Sequence, residues 1–203
     1  MEIKALKHQH ETICALDKYS HVLLLGGVAS GKTVTGCLWM LTELQRWYQG
    51  DHSIGLITAN SYGQLRRSVL QEVFNMMSKW GIEFSYNQQQ SLLTLNGAKK
   101  FFCVSVDPGS IEKTRGLNCS AVWQDEACFQ KDLDTYNTIQ GRIRVAGGSG
   151  VTLCTSSPNS FNFMYDLFQG ELHNPQTHKL IRAKTKDNTY ISDSFYDNMR
   201  AQL

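Results

Sequence analysis

No apolar run in this chain approaches the ~20 residues that a membrane-spanning helix needs, and its first residues carry none of the features of a secretory signal. No internal repeat, low-complexity tract or linker interrupts it. These absences lead us to expect no membrane partner and a cytoplasmic site of action. Charge of one sign is also scarce, because the formal net charge is only +2. A global basic field for nucleic acid is therefore excluded, and any contact with DNA must come from a local patch. Metal-ligand spacing is missing as well. The six cysteines (Cys14, Cys37, Cys103, Cys119, Cys128 and Cys154) form no C-x-x-C pair, so a zinc site is not expected and buried free thiols are. His8 and His10 make an isolated H-x-H pair, which is more often surface than ligand. What remains, 203 residues with 41% hydrophobic and 19% charged content, describes one globular core.

The strongest positive signal is Gly26-Gly27-Val28-Ala29-Ser30-Gly31-Lys32-Thr33, a complete match to G-x-x-x-x-G-K-[ST]. The apolar run His21–Leu25 precedes it as a buried strand, and Val34–Tyr48 follows as a helix. This strand–loop–helix context makes the motif a phosphate cradle. Gly26 and Gly31 are expected to supply backbone angles closed to other residues, and the helix start adds its positive end. Lys32 can then reach the β- and γ-phosphates, while the Thr33 hydroxyl can ligate Mg²⁺.

Leu6–Asp17 reads as a short amphipathic helix carrying Gln9. A glutamine amide can pair with both edges of adenine or simply face solvent. Ser53–Ala59 reads as a strand, and Asn60-Ser61 caps a helix to about Trp80 with Leu65, Val69, Val73, Met76 and Met77 on one face. Arg66 and Arg67 near its start are either solvated or in contact with DNA. Asn96-Gly97 between two apolar runs signals a hairpin, with Lys99 and Lys100 at its exit as candidate phosphate contacts. A polar loop, Asp107–Asn118, contains Arg115. Ala121–Asp125 then reads as a strand ending in Asp125-Glu126. Downstream of a P-loop, that pair has the form of a Walker B motif, in which Asp125 holds Mg²⁺ and Glu126 orients or deprotonates water. Lys131–Arg144 is expected as a helix, with Arg142 and Arg144 at its far end. Val151–Thr155 is a further strand, and it ends in Ser156-Ser157-Pro158-Asn159. These groups either sense the γ-phosphate or form an ordinary turn. Phe161–Phe168 and a segment opening at Ser192 or Asp193, with Phe195, Met199 and Leu203, read as helices, and Lys179–Ala183 as a strand.

Taken in order, Gln9, the Walker A loop, the Thr114-Arg115-Gly116 segment, Asp125-Glu126 and Thr155–Asn159 resemble the ATPase domain of the large terminase subunit of tailed bacteriophages. The stretch Ala183–Ile191 is similar to that family's sequence after the coupling motif. The resemblance implies an α/β P-loop NTPase of the additional-strand type, with an ATPase core over 1–170 and a lid or linker over 171–203. It implies ATP and Mg²⁺, with hydrolysis driving double-stranded DNA into a procapsid. Portal protein and small terminase subunit are the implied partners. The implied assembly is a homo-oligomeric ring, a pentamer, at the portal vertex in the host cytoplasm, with monomers in isolation. By the same resemblance Gln9 binds adenine, Ser156 belongs to the coupling motif, and Arg115 falls where some members carry an arginine finger for the neighbouring subunit.

Two departures stand out. Many members have Arg inside the Walker A loop, where this chain has Val28, which shifts the finger role to Arg115, with Arg142 and Arg144 as rivals. The family's nuclease domain does not follow within 203 residues, so no DNA cleavage is expected. Two other readings of the same motifs are the first half of a helicase and a nucleotide-binding assembly module without turnover.

Overall fold

The computed structural model describes residues 3–46, 54–145 and 149–192, together with 194, 195, 197 and 198. The end of the expected P-loop helix beyond Arg46, the expected strand residue Ser53 and most of the last expected helix lie outside them.

A short helix, α1 (Lys7–Ala15), leads into β1 (His21–Gly26), the P-loop and α2 (Lys32–Arg46). After β2 (Ile54–Ala59), α3 (Tyr62–Gln64) runs through a π-helical turn (Leu65–Val69) into α4 (Leu70–Lys79). The strands β3 (Phe84–Asn87), β4 (Leu92–Leu95) and β5 (Lys99–Ser105) form a meander. Next come α5 (Pro108–Ile111) with a 3₁₀ turn (Glu112–Thr114), β6 (Cys119–Asp125), a second 3₁₀ turn (Ala127–Phe129) and α6 (Leu133–Gln140). The chain continues through β7 (Thr152–Ser156), α7 (Phe163–Phe168), β8 (His178–Ala183) and a last 3₁₀ turn (Thr185–Asp187).

All eight strands lie in one sheet, in the order β3-β4-β5-β2-β6-β7-β1-β8. Every pairing is parallel except the two made by β4. The order separates the P-loop strand β1 from β6 by the interposed β7, which is the additional-strand arrangement of P-loop NTPases. The sequence explains why these segments are central strands. β6 and β7 are buried at every position, as expected of parallel strands covered by helices on both faces. Residues beyond 170 supply the edge strand β8, which pairs with β1 over His21–Gly26. The expected boundary at 170 therefore falls within the chain that builds the sheet.

The core packs α2 and α4 on one face through Trp39, Met40, Leu70, Val73 and Met77, all essentially inaccessible. Each such side chain contributes about 1.5–3 kcal/mol on burial. Gly36 in mid-helix is explained here, since a Cβ at that position would overlap the Trp123 indole. The hairpin at Asn96-Gly97 forms as expected, with both residues at positive φ (49° and 68°). β5 runs parallel to β2, so Lys99 and Lys100 at its start lie at the sheet edge opposite the P-loop. The helix expected over Lys131–Arg144 is shorter. Asp132 caps it by accepting from the Thr135 amide (2.9 Å), and it stops before Gly141.

Candidate active site

The carboxyl ends of the parallel strands bring Gly26, Asn60, Asp125 and Ser156 to one edge of the sheet, where open α/β sheets bind ligands. The P-loop there is built from the outside. Lys32 Nζ donates to the carbonyls of Gly26 (3.1 Å) and Gly27 (2.9 Å). The Thr185 hydroxyl donates to Val28 O (2.8 Å) and the Asn188 amide to Ala29 O (2.7 Å). His8 Nε2 lies 2.8 Å from Ser30 O, and Gln9 Nε2 donates to Gly31 O (3.0 Å). Each carbonyl from Gly26 to Gly31 thus meets a side-chain donor, Lys32 for the first two and residues from outside the loop for the other four. The first N–H groups of α2 have no intrahelical partner and remain for an anion, reinforced by the positive helix end.

Three expectations change at this loop. Positive φ occurs at Ala29 (57°) and Gly31 (87°) but not at Gly26. Gly26 is required for space instead, because a Cβ there would collide with the Ser30 hydroxyl. His8 is not a surface residue. It is 6% exposed and braces the loop. Gln9 is not solvent-facing either. It is 3% exposed, and its Oε1 accepts from the Leu6 amide (2.8 Å).

Across the cleft, β6 delivers Asp125 and Glu126. Asp125 Oδ1 accepts from the Thr155 hydroxyl (2.7 Å), whose oxygen accepts in turn from Trp123 Nε1 (2.8 Å). Burial pushes Asp125 up to about 7. The Thr155 hydrogen bond opposes that rise, and the Glu126 charge adds to it. Burial also lowers the Lys32 ammonium, while Glu126 and Asp125 pull it back up. Glu126 is left-handed (φ 51°, ψ 43°), a costly state for a non-glycine residue, and its carbonyl accepts from Asn60 Nδ2 (2.9 Å). Its carboxylate accepts from the Ser157 amide (2.8 Å) and hydroxyl (3.2 Å), with the Ser156 hydroxyl at 3.2 Å. Ser156 is fully buried, so the structure sets it against Glu126 rather than on the cavity wall.

Two lobes of one cleft lie over the P-loop. The phosphate lobe, about 490 Å³, is lined by Ser30, Lys32, Thr33, Arg67 and Glu126 among others. The second, about 480 Å³, is more apolar and includes Leu6, Gln9, Leu38, Met76 and Trp80. Thr33 has no side-chain hydrogen bond among the described residues. Thr33 and the Asp125 carboxylate at the end of β6 are hard oxygen donors. Mg²⁺ needs only one or two such groups beside nucleotide phosphates and water, so these residues fit the ion. No group of three His, Cys, Asp or Glu able to hold a metal occurs among the described residues.

Arg115 stands outside this cleft. Its side chain is 72% exposed and paired with Glu112, a contact worth about 0–1 kcal/mol at a surface. It lines a separate polar hollow of about 670 Å³ against α6. Its expected rivals are engaged in bracing the same loop, because Arg142 Nε donates to Thr114 Oγ1 (3.2 Å) and Arg144 Nη2 to Leu117 O (3.1 Å). Of the two arginines after β2, Arg67 lines the phosphate lobe and Arg66 is exposed outside it. Sequence reasoning gave no site role to His8, Asn60, Glu72, Thr185 or Asn188. Only the asparagines and hydroxyls beside turns carried any signal, and that signal was the ordinary one for caps and turns.

The fold has close counterparts among solved structures. The large terminase of a thermophilic bacteriophage superposes with a TM-score of 0.84 at 15% identity, over 99% of this chain and 51% of its own. This chain therefore spans about half the length of that protein. The large terminase ATPase domain of Thermus phage P74-26 matches with a TM-score of 0.62 at 18% identity, over 95% of this chain and 87% of its own. The HK97 bacteriophage large terminase matches at 0.66 and 16% identity, over 90% of this chain and 40% of its own. No curated protein sequence matches. The family model described as terminase large subunit, T4likevirus-type, N-terminal, matches residues 23–200. That match spans most of the chain, whose P-loop shares a cavity with Glu126, and the chain belongs to that family, as the N-terminal part of a large terminase subunit.

Proposed function

We propose that this chain binds and hydrolyses ATP with Mg²⁺, and that hydrolysis drives double-stranded DNA into a viral procapsid. The observation that carries the reading is that P-loop residues Ala29–Thr33, Lys32 among them, line one cavity with Glu126. Support also comes from the thermophilic phage large terminase, whose structures were solved in complex with ADP and with ATP-γ-S.

In this reading Gly26–Thr33 cradle the phosphates, and Lys32 exchanges its two carbonyl contacts for β- and γ-oxygens. Thr33 and Asp125 hold Mg²⁺, which neutralises phosphate charge. Glu126 positions the attacking water once it turns from Ser157. Because its carboxylate is anchored by Ser156 at the end of β7 and Ser157 just after it, a change at Glu126 is felt by the 157–162 loop, and Ser156 acts through that contact. Arg67 adds positive charge to the opposite wall. Arg115, solvent-facing on a braced loop, serves a neighbouring subunit's ATP in a homo-oligomeric ring, with portal protein and small terminase subunit as partners at the portal vertex. The segment after β8 acts as the lid. Little covalent chemistry is required, since positioning and charge stabilisation carry phosphoryl transfer.

The test is steady-state ATP hydrolysis together with nucleotide binding. Lys32→Ala should lose both, and Glu126→Gln should keep binding and lose turnover. Turnover by Glu126→Gln at the parent rate would remove Glu126 from its role, and failure of the parent to bind ATP would end the reading.

A further inference from the structure

The cleft has a second wall opposite the P-loop, formed where α3 passes through its π-helical turn into α4. Arg67, Ser68, Gln71 and Glu72 of this wall line the phosphate lobe. Their spacing places them on one helical face. The π turn inserts one residue, which rotates everything after it by roughly 100°. That rotation sets which face of α4 meets the cleft, and π turns of this kind recur at functional sites.

The two lobes share four residues: Gly31, Val34, Glu72 and Asn188. With phosphates on the P-loop and a base in the apolar lobe, the sugar of a nucleotide must lie at this junction. Gly31 and Val34 bring no polar side-chain atom. Both ends of the Asn188 amide are committed, Nδ2 to Ala29 O (2.7 Å) and Oδ1 to the Tyr190 amide (3.0 Å). Glu72 is half-buried and has no hydrogen-bond or ion-pair partner among the described residues. An ionised carboxylate only accepts hydrogen bonds. Phosphate oxygens also only accept, so they cannot satisfy it. The ribose carries two adjacent hydroxyl donors at the right place between base and phosphates.

We propose that Glu72 accepts a hydrogen bond from the ribose 2′-hydroxyl and makes this site select ribonucleotides over 2′-deoxyribonucleotides. The proposal rests on reading the cleft as the ATP site. A hydrogen bond to a charged group is worth enough to change affinity about tenfold.

The experiment is calorimetric binding of ADP and of 2′-deoxy-ADP, with Mg²⁺, to the full chain and to Glu72→Ala, Glu72→Gln and Lys32→Ala. The parent should favour ADP about tenfold. Glu72→Ala should lower ADP affinity to the 2′-deoxy-ADP level while leaving the latter nearly unchanged. Glu72→Gln, which keeps a neutral acceptor, should fall between, and it carries the test alone if Glu72→Ala does not fold. Equal affinity of the parent for both nucleotides, or an equal loss of both in the Glu72 variants, would overturn the assignment and leave the ATP site standing. Absence of binding by the parent, matching Lys32→Ala, would overturn the ATP reading and this proposal with it.

Discussion

The Asn188 side chain donates to the carbonyl of Ala29 at 2.7 Å, joining positions 159 residues apart in the chain. Ala29 holds a positive φ of 57°, a conformation that persists only where the surroundings impose it. Asn188→Ala should therefore cost about 1 kcal/mol of stability, the net value of one hydrogen bond. It should also weaken nucleotide binding, because the loop loses one of its outward anchors. Thermal unfolding paired with ADP titration measures both, and unchanged affinity would show that the loop holds its shape without Asn188.

Gly36 gives a case where two effects oppose. Helix propensity alone favours Gly36→Ala by about 1 kcal/mol. The new methyl would occupy the space of the Trp123 indole, and overpacking of this kind costs about 1–3 kcal/mol. The steric effect should win, lowering the denaturation midpoint. The disturbance should reach Asp125 too, since Trp123 donates to Thr155 and Thr155 to Asp125. A more stable Gly36→Ala protein would refute the packing account.

Asp125 is raised to about 7, first by burial, and Mg²⁺ requires its carboxylate form. In the free protein the proton is held below that pH, so nucleotide binding with Mg²⁺ should release a proton and strengthen as pH rises from 6 to 8. Calorimetry in buffers of different ionisation enthalpy reads the release. Asp125→Asn should abolish it and flatten the pH profile between 6 and 8.

Among the described residues Arg115 pairs with Glu112 alone, and both side chains are exposed (72% and 54%), so little holds it in place. An arginine finger supplied by a neighbour contributes about 10³–10⁵ in rate. Hydrolysis per subunit should therefore rise with protein concentration. Mixing inactive Arg115→Ala and Lys32→Ala proteins should restore part of the activity, because each supplies what the other lacks. Mixed assemblies that form and stay inactive would exclude Arg115 as the finger.

The parts of the site legible in the sequence were those whose chemistry is local. The Walker A spacing and Asp125-Glu126 at a strand end are contiguous, and Glu126 lines one cavity with the loop. Donors from elsewhere left no such trace. His8, Thr185 and Asn188 are single polar residues with no periodicity, and only the parallel pairing of β8 with β1 brings the last two to the loop. The π-helical turn has no residue signature, so the helix was legible but the direction of Glu72 was not. β3 was missed because it spans only four half-exposed residues. The expectation for α6 ran too far because its apolar spacing continues past the Asp132 cap and the Gly141 stop.

The outward anchors of the P-loop come from both extremities of the described chain. His8 and Gln9 precede the loop, Thr185 and Asn188 follow it by more than 150 positions, and Tyr190 OH closes the circuit on Lys4 O (2.9 Å). During synthesis, which proceeds at about 5–20 residues per second from the N-terminus, β1 and the loop emerge early but lack half their supports. The phosphate cradle is thus a late product of folding. The loop's carbonyls gain their last two partners only once residue 188 has left the ribosome and β8 has docked beside β1.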